Sequence, residues 1–393
     1  MARASSRIAT SLAIVVIQVF ASGGVARAQD PAPVGVEPVE EQPKPKWYDA
    51  VTVSAFVDGY AGWNFNAPKP NVNALRAYDA TNGFALHWAG LDTTIDAGPV
   101  GGTLSLRFGP SAPLYAGPDA DVGLANVKQA YATWKPFERW TIDFGKYDQP
   151  FGSEVADSQG NPNYTRSALY WYAQPLFFTG LRVGVAVTEQ LELKAFAVNG
   201  WNRSVDVNTG KSFGAQLVVK PTDGFLVAAG YLGGPEQADT ETDAAGTTTK
   251  VPGANKRLRH LADLVVDVTL AEKLRLLFNA DYGMEKLLDQ TVRWYGGNLV
   301  AAYAITEVYS VAARGEYYVD ADGYTLATGR KTTLIDGTLT LAAAPTKNLI
   351  LKLDGRLDRA EVDGVPEGIF LRGLTEPSKT QVTATFGVVA KTD

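Results

Sequence analysis

Leu349-Ile350-Leu351-Lys352-Leu353-Asp354-Gly355-Arg356-Leu357-Asp358 is the stretch that decides the fold of this chain. Leu349, Leu351 and Leu353 take alternate positions, and Ile350, Lys352, Asp354, Arg356 and Asp358 fall between them. A period of two marks a strand whose two faces meet different surroundings. The same alternation recurs upstream. Leu104, Leu106 and Phe108 alternate with Thr103, Ser105 and Arg107; Trp140, Ile142 and Phe144 with Thr141, Asp143 and Gly145. Leu181, Val183, Val185 and Val187 alternate with Arg182, Gly184, Ala186 and Thr188.

Sixteen such segments can be drawn, near 49–65, 83–97, 101–109, 125–135, 138–148, 178–188, 190–201, 210–220, 224–233, 257–271, 273–284, 291–305, 307–319, 331–343, 347–360 and 378–390. Their connectors alternate in length. Short ones such as 98–100, 136–137 and 344–346 are interleaved with longer ones near 66–82, 110–124, 149–177, 202–209, 234–256, 285–290, 320–330 and 361–377. Tight turns on one side and long loops on the other are the plan of an outer-membrane barrel. An even strand count puts both ends on the periplasmic side.

The polar face of these strands is charged. Asp92, Asp96, Arg107, Asp143, Arg182, Asp263, Asp281, Arg314, Glu316, Asp336, Lys352, Asp354, Arg356 and Asp358 all oppose an apolar face. In a soluble sandwich the apolar faces bury each other and the charges meet water. In a membrane barrel the apolar face meets lipid and the charges line a wet lumen. Strand length favours the barrel, because about 9–11 residues cross a tilted bilayer. So do aromatic residues at strand ends, among them Trp63, Trp134, Trp140, Trp201, Trp294 and Tyr317, which read as interface girdles. Sixteen strands enclose an aqueous channel where eight would be filled by their own side chains. The expected fold class is therefore all-β, a transmembrane antiparallel up-and-down β-barrel of about 16 strands over 47–393, with short periplasmic turns and long extracellular loops.

Composition removes other classes. The 393 residues hold no Cys and two His, His87 and His260, which leaves no thiol chemistry and little room for a His-based metal centre. The net charge of −6 argues against a nucleic-acid partner. The first residues read as a secretory signal peptide: Arg3 and Arg7, an apolar run from Leu12 to Phe20, then Ala26-Arg27-Ala28 as the cleavage site. Cleavage after Ala28 removes three Arg and no acid, taking the charge from −6 to −9. Segment 29–46, with Pro31, Pro33, Pro38, Pro43 and Pro45, reads as an extended periplasmic spacer.

The runs Phe144-Gly145-Lys146-Tyr147-Asp148-Gln149-Pro150-Phe151-Gly152-Ser153-Glu154, Asn161-Pro162-Asn163-Tyr164-Thr165-Arg166-Ser167 and Pro175-Leu176-Phe177-Phe178-Thr179-Gly180-Leu181-Arg182 share their order and spacing with a known family. With Val57-Asp58-Gly59-Tyr60 and Gly210-Lys211-Ser212-Phe213-Gly214, they make residues from about 55 to 236 resemble the β-barrel porin-2 (OmpL-like) family. The resemblance implies a Gram-negative outer-membrane channel. The second half of the chain matches in barrel character only. One departure is the C-terminus: many outer-membrane barrels end on an aromatic residue, whereas Phe386 here lies seven residues short of Asp393.

The 149–177 connector is long for a compact fold, and loops of that length are functional or disordered; its Pro, Gly, Asn and aromatic residues, Tyr164, Tyr170, Trp171 and Tyr172 among them, favour an ordered one. It is the third outer loop, and by analogy of position with general porins it folds inward and narrows the pore. On that reading Asp148, Glu154, Asp157 and Arg166 supply constriction charges, and Arg76, Arg107, Asp143, Lys146 and Arg182 supply charge on the wall or mouth. Acid on one side and base on the other would set up a transverse field that favours small polar solutes. Chemistry-bearing motifs are weak by comparison. Gly210-Lys211-Ser212-Phe213-Gly214 matches the hydrolase elbow, but it lies between strands rather than before a helix. Asp320-Ala321-Asp322-Gly323 is half a calcium loop and reads as a turn.

The sequence thus points to a porin for passive diffusion of small hydrophilic solutes and ions, with no enzymatic activity, cofactor or metal. Its partners would be outer-membrane lipid, the barrel-insertion machinery and, by analogy, two further copies in a homotrimer. A mild cation preference follows from the mature charge of −9. The alternatives are a substrate-specific channel, or a plugged barrel whose outer loops bind a partner.

Overall fold

The structure, a computed structural model, describes residues 46–392. The signal-peptide and spacer readings therefore lie outside the described residues, apart from Lys46. Sixteen strands form one closed antiparallel barrel. They are β1 (Val51–Asn64), β2 (Gly83–Ala97), β3 (Val100–Phe108), β4 (Val127–Trp134), β5 (Trp140–Asp148), β6 (Phe177–Ala186), β7 (Leu191–Val198), β8 (Ser212–Thr222), β9 (Phe225–Pro235), β12 (Leu258–Leu270), β13 (Leu274–Lys286), β14 (Thr291–Ala304), β15 (Tyr309–Asp320), β16 (Thr332–Thr346), β17 (Leu349–Val362) and β20 (Thr380–Lys391). Two hairpins stand on outer loops: β10 (Thr240–Thr242) with β11 (Thr248–Lys250), and β18 (Phe370–Arg372) with β19 (Glu376–Ser378). One short helix, α1 (Ser111–Ala116), lies in the loop after β3.

Each of the sixteen expected segments coincides with a strand, displaced by three residues at most at an end. β20 pairs back on β1, from Thr383↔Asn64 to Lys391↔Phe56. That closure leaves no edge strand in the barrel sheet, which is what a sheet in hydrocarbon requires. The connector expected at 285–290 shrinks to the four residues between β13 and β14, because β13 runs two residues further than its alternation suggested.

The two faces settle the choice between sandwich and barrel. Apolar side chains point outward and stay exposed: Phe84 is 93% exposed, and Leu193, Leu217, Leu299, Leu339 and Leu357 are also open. Charged side chains point inward and are buried, among them Asp263, Asp281, Arg314, Asp336, Asp354 and Arg356. This inverts the arrangement of a soluble protein and fits lipid outside with a polar interior. Exposed aromatics form two belts on the outer face. Phe108, Tyr231, Tyr282, Tyr295 and Tyr317 lie toward the long loops, and Trp134, Trp140, Phe225, Tyr303 and Tyr309 toward the short turns.

Candidate channel constriction

The loop between β5 and β6, residues 149–176, packs inside the barrel. A loop that leaves water must find partners for its backbone polar groups, and here side chains of the inner wall provide them. The Gln216 amide donates to Pro150 O (2.6 Å), and the Gly152 N–H donates to Asp263 (3.0 Å). Lys352 Nζ donates to Ser158 O (2.7 Å). Tyr164 N–H and Thr165 N–H donate to Asp354 (3.1 and 2.8 Å). Arg314 donates to Thr165 O (2.6 Å) and Arg356 to Arg166 O (2.5 Å). Ala168 N–H and Leu169 N–H donate to Glu316 (2.8 and 2.5 Å). Trp294 Nε1 donates to Ala173 O (3.0 Å). The loop is thus seated on β8, β12, β14, β15 and β17.

Two wall glycines are sockets for loop aromatics. A Cβ at Gly230 would stand 2.4 Å from the Phe151 ring, and one at Gly387 would stand 2.1 Å from the Tyr164 ring. The cavities along the seam hold about 10 Å³ beside Glu316 and Arg356 and about 20 Å³ beside Tyr115 and Asp148. Neither takes more than a water molecule.

The charges group in three places. On β15–β17 a ladder of alternating sign joins two loops: Arg76 to Asp358 (2.6 Å), Asp358 to Arg356 (2.7 Å), Arg356 to Asp336 (3.1 Å), Asp336 to Arg314 (3.5 Å), and Arg314 to Glu154 (2.9 Å). All of these side chains are buried, so each charge depends on its neighbours for compensation. On β3 and β4, Arg107 lies between Asp92 (3.0 Å) and Asp157 (2.9 Å), with the Phe56 ring beneath its guanidinium. Lys128 bridges Asp157 (3.5 Å) and Asp148, and Tyr115 OH donates to Asp148 (2.6 Å). Burial works to raise the Asp157 carboxyl; Lys128 and Arg107 outweigh it and hold the group down at about 2. Deeper, toward the short turns, Arg182 pairs with Asp143 (2.7 Å) and lies over the Tyr147 ring (4.4 Å). A recess of about 270 Å³ opens there on the inner face of β2–β6.

The nine residues singled out from the sequence therefore separate. Arg107, Asp148 and Asp157 meet at one cluster. Glu154 and Arg76 stand at the two ends of the ladder. Asp143 and Arg182 border the recess. Arg166 staples the loop to itself through Val155 O (3.1 Å), Ser158 Oγ (3.3 Å) and the carbonyls of Tyr164 and Ala156. Lys146 is not at the lumen. It shares the outward face of β5 with exposed Phe144, where Asp119 of the loop after α1 covers it (2.7 Å). The anticipated facing arrays of acid and base are replaced by direct ion pairs, with both signs on the wall.

Lys128 was not legible. It sits at a β-bulge opposite Ser105/Leu106, and the extra residue breaks the period of two that would have shown its face. Asp58 adjoins a second bulge and accepts from Tyr164 OH (2.8 Å) and Ser158. The weak motifs keep structural roles. Ser212 opens β8 and donates to Glu236 (2.8 Å). His87 stacks on Trp88 (4.3 Å), and His260 bonds to Tyr231 OH (2.6 Å).

The fold is shared with solved outer-membrane proteins. The outer-membrane channel DcaP of Acinetobacter baumannii is 13% identical, with a TM-score of 0.57 over 87% of this chain and 97% of that one. The anion-selective porin of Comamonas acidovorans is 13% identical, with a TM-score of 0.55 over 87% and 99%. OmpT of Vibrio cholerae in its trimer form is 10% identical, with a TM-score of 0.54 over 87% and 99%. None of the curated proteins matches the chain. The profile of one sequence family covers residues 50–391, essentially the whole barrel. The chain belongs to that family, "Putative beta-barrel porin-2, OmpL-like", and is an outer-membrane porin.

Proposed function

We propose that this porin passes small hydrophilic solutes and ions by diffusion along the β2–β6 side of its lumen. The observation that carries the reading is the recess of about 270 Å³ on the inner face of β2–β6. It opens toward the short turns, and no residue of the 149–176 loop lines it, although that loop also reaches Arg107 and Lys128 on β3 and β4. Selection by size and by wall charge follows from such a passage, with no covalent step and no cofactor. Liposome swelling with neutral solutes of graded size tests it: rates that fall steeply with solute size support the passage, and swelling no faster than in empty vesicles overturns it.

Two finer statements belong to the same reading. Cleavage after Ala28 exports the chain, and mass analysis of the mature N-terminus checks this. The barrel assembles as a homotrimer through β16, β17, β20, β1 and β2. β16 and β17 carry no aromatic residue and so interrupt both girdles, leaving Ile335, Leu339, Leu341, Leu353 and Leu357 exposed. Beside them an apolar groove of about 460 Å³ runs between Gly59, Ala61, Phe84, Leu86, Phe386 and Val388. The part of this face on β16 and β17, without girdle aromatics but with exposed leucines, suits another protein better than a lipid interface.

A further inference from the structure

The recess on the short-turn side of the lumen has its own chemistry. Register places Thr94, Thr103 and Tyr131 in one row across β2, β3 and β4, and Thr133, Asp143 and Arg182 in the next row across β4, β5 and β6. Neighbouring strands stand about 4.8 Å apart, so each row offers polar groups at the spacing of hydroxyls on opposite edges of a sugar ring. The lining charges are already compensated. Asp143 takes Nε (2.8 Å) and a second guanidinium nitrogen (2.7 Å) of Arg182, and Thr133 Oγ1 donates to it (2.7 Å). At the rim Lys135 pairs with Asp96 (3.1 Å). The Arg182 guanidinium lies over the Tyr147 ring (4.4 Å) and over the Tyr131 ring (5.6 Å). It lines the recess next to the Asp143 carboxylate. Such a carboxylate accepts from one hydroxyl of a vicinal diol while the guanidinium beside it donates to the other.

The facing wall is different. Register puts Val265, Leu277, Val300 and Ala312 on the inner face of β12–β15, where they form an apolar cluster. The recess itself is lined by hydroxyls, the Asp143–Arg182 pair and Tyr131. A sugar ring, with polar edges and apolar faces, matches hydroxyls at its edges and an aromatic ring at its face. The volume of about 270 Å³ is close to the lower end, roughly 300 Å³, of small-molecule sites, which suits one ring rather than a chain.

We infer that this recess is a binding site for a neutral polyhydroxylated solute of about one sugar ring, held by Tyr131, Asp143, Arg182 and the Thr94, Thr103 and Thr133 hydroxyls. The inference rests on the diffusion reading above for how the solute arrives, and the test separates the two. Saturation-transfer NMR of glucose with the full mature chain in detergent micelles reads binding whether or not the channel conducts. Saturable transfer is expected at millimolar glucose, with succinate weaker. Tyr131→Ala and Arg182→Gln should each weaken it about fivefold or more, while Lys250→Ala on the exposed outer hairpin keeps the wild-type signal. A heat-modifiable gel shift verifies that each variant is a folded barrel; where one variant fails to fold, the other carries the comparison. No transfer to the wild type, equal transfer in all variants, or stronger transfer to succinate overturns the inference. Normal conductance without transfer removes the site and leaves the diffusion reading standing. Transfer without conductance does the reverse.

Discussion

Asp354→Ala tests how the 149–176 loop is held. The Asp354 carboxylate accepts from Tyr164 N–H (3.1 Å), Thr165 N–H (2.8 Å), Thr165 Oγ1 (3.0 Å) and Thr340 Oγ1 (2.7 Å), and it is buried. Three of the four donors belong to the loop. Hydrogen bonds to a charged group contribute about 1.5–3 kcal/mol each, but the losses are not additive and Glu316, Arg314 and Lys352 keep their grip. We take about 3–4 kcal/mol for the set. At about 1.4 kcal/mol per tenfold, that raises the unseated fraction by roughly two to three orders of magnitude. The chain has no cysteine, so Ala168→Cys, a small change at a buried loop position, gives a clean reporter. Labelling of Cys at 168 by a membrane-impermeant maleimide is governed by local opening. It should accelerate in the double variant by about 100-fold or more, with the barrel still heat-modifiable. Acceleration under about threefold with an intact barrel would refute the claim that the wall carboxylate holds the loop.

Lys128→Gln leaves Asp148 and Asp157 underbalanced at the β3–β4 cluster. A unit charge about 5 Å from a passing ion in water is worth ~0.8 kcal/mol; losing it favours the cation and disfavours the anion about fourfold each, so the cation-to-anion permeability ratio should rise about 16-fold, read as the reversal potential in a salt gradient. At the outer rim, burial raises Glu236 to about 7, against the pull of Arg259, Trp201 N–H and Ser212. The folded state therefore holds a proton that the unfolded chain releases above about 4.5, and the stability this confers is lost as pH rises through 7. Glu236→Gln should leave the free energy of unfolding nearly unchanged at pH 4 and raise it at pH 8 by up to about 3 kcal/mol; a free energy lowered at pH 8 would contradict this. Leu339→Cys, outward on β16, should crosslink copies to one another under mild oxidation, whereas Leu193→Cys on the lipid face of β7 should not.

The barrel was legible because lipid and water act on opposite faces of every strand, which writes a period of two into the sequence. Alternation fails where the backbone departs from it. The bulge at Lys128 hides a cation that contacts two candidate acids. Carried two residues past Phe144, the same alternation puts Lys146 outside, and the structure does too. The inward course of the third loop could be anticipated from its length and place, but its seating could not. Tyr164 and Asp354 are 190 residues apart, and nothing local to either says that they meet. The glycine sockets at 230 and 387 are equally silent in sequence, since a glycine in a strand has several uses. The hairpin pairs β10–β11 and β18–β19 were invisible because three-residue strands carry too little pattern.

The central claim is that the lumen stays open beside a clamped loop. Single-channel recording of residues 29–393 refolded into a planar bilayer tests it most directly. The account predicts stable, stepwise conductance that is linear in voltage. A correctly folded barrel that inserts and gives no steps would contradict it, and would mean that the 149–176 loop closes the lumen.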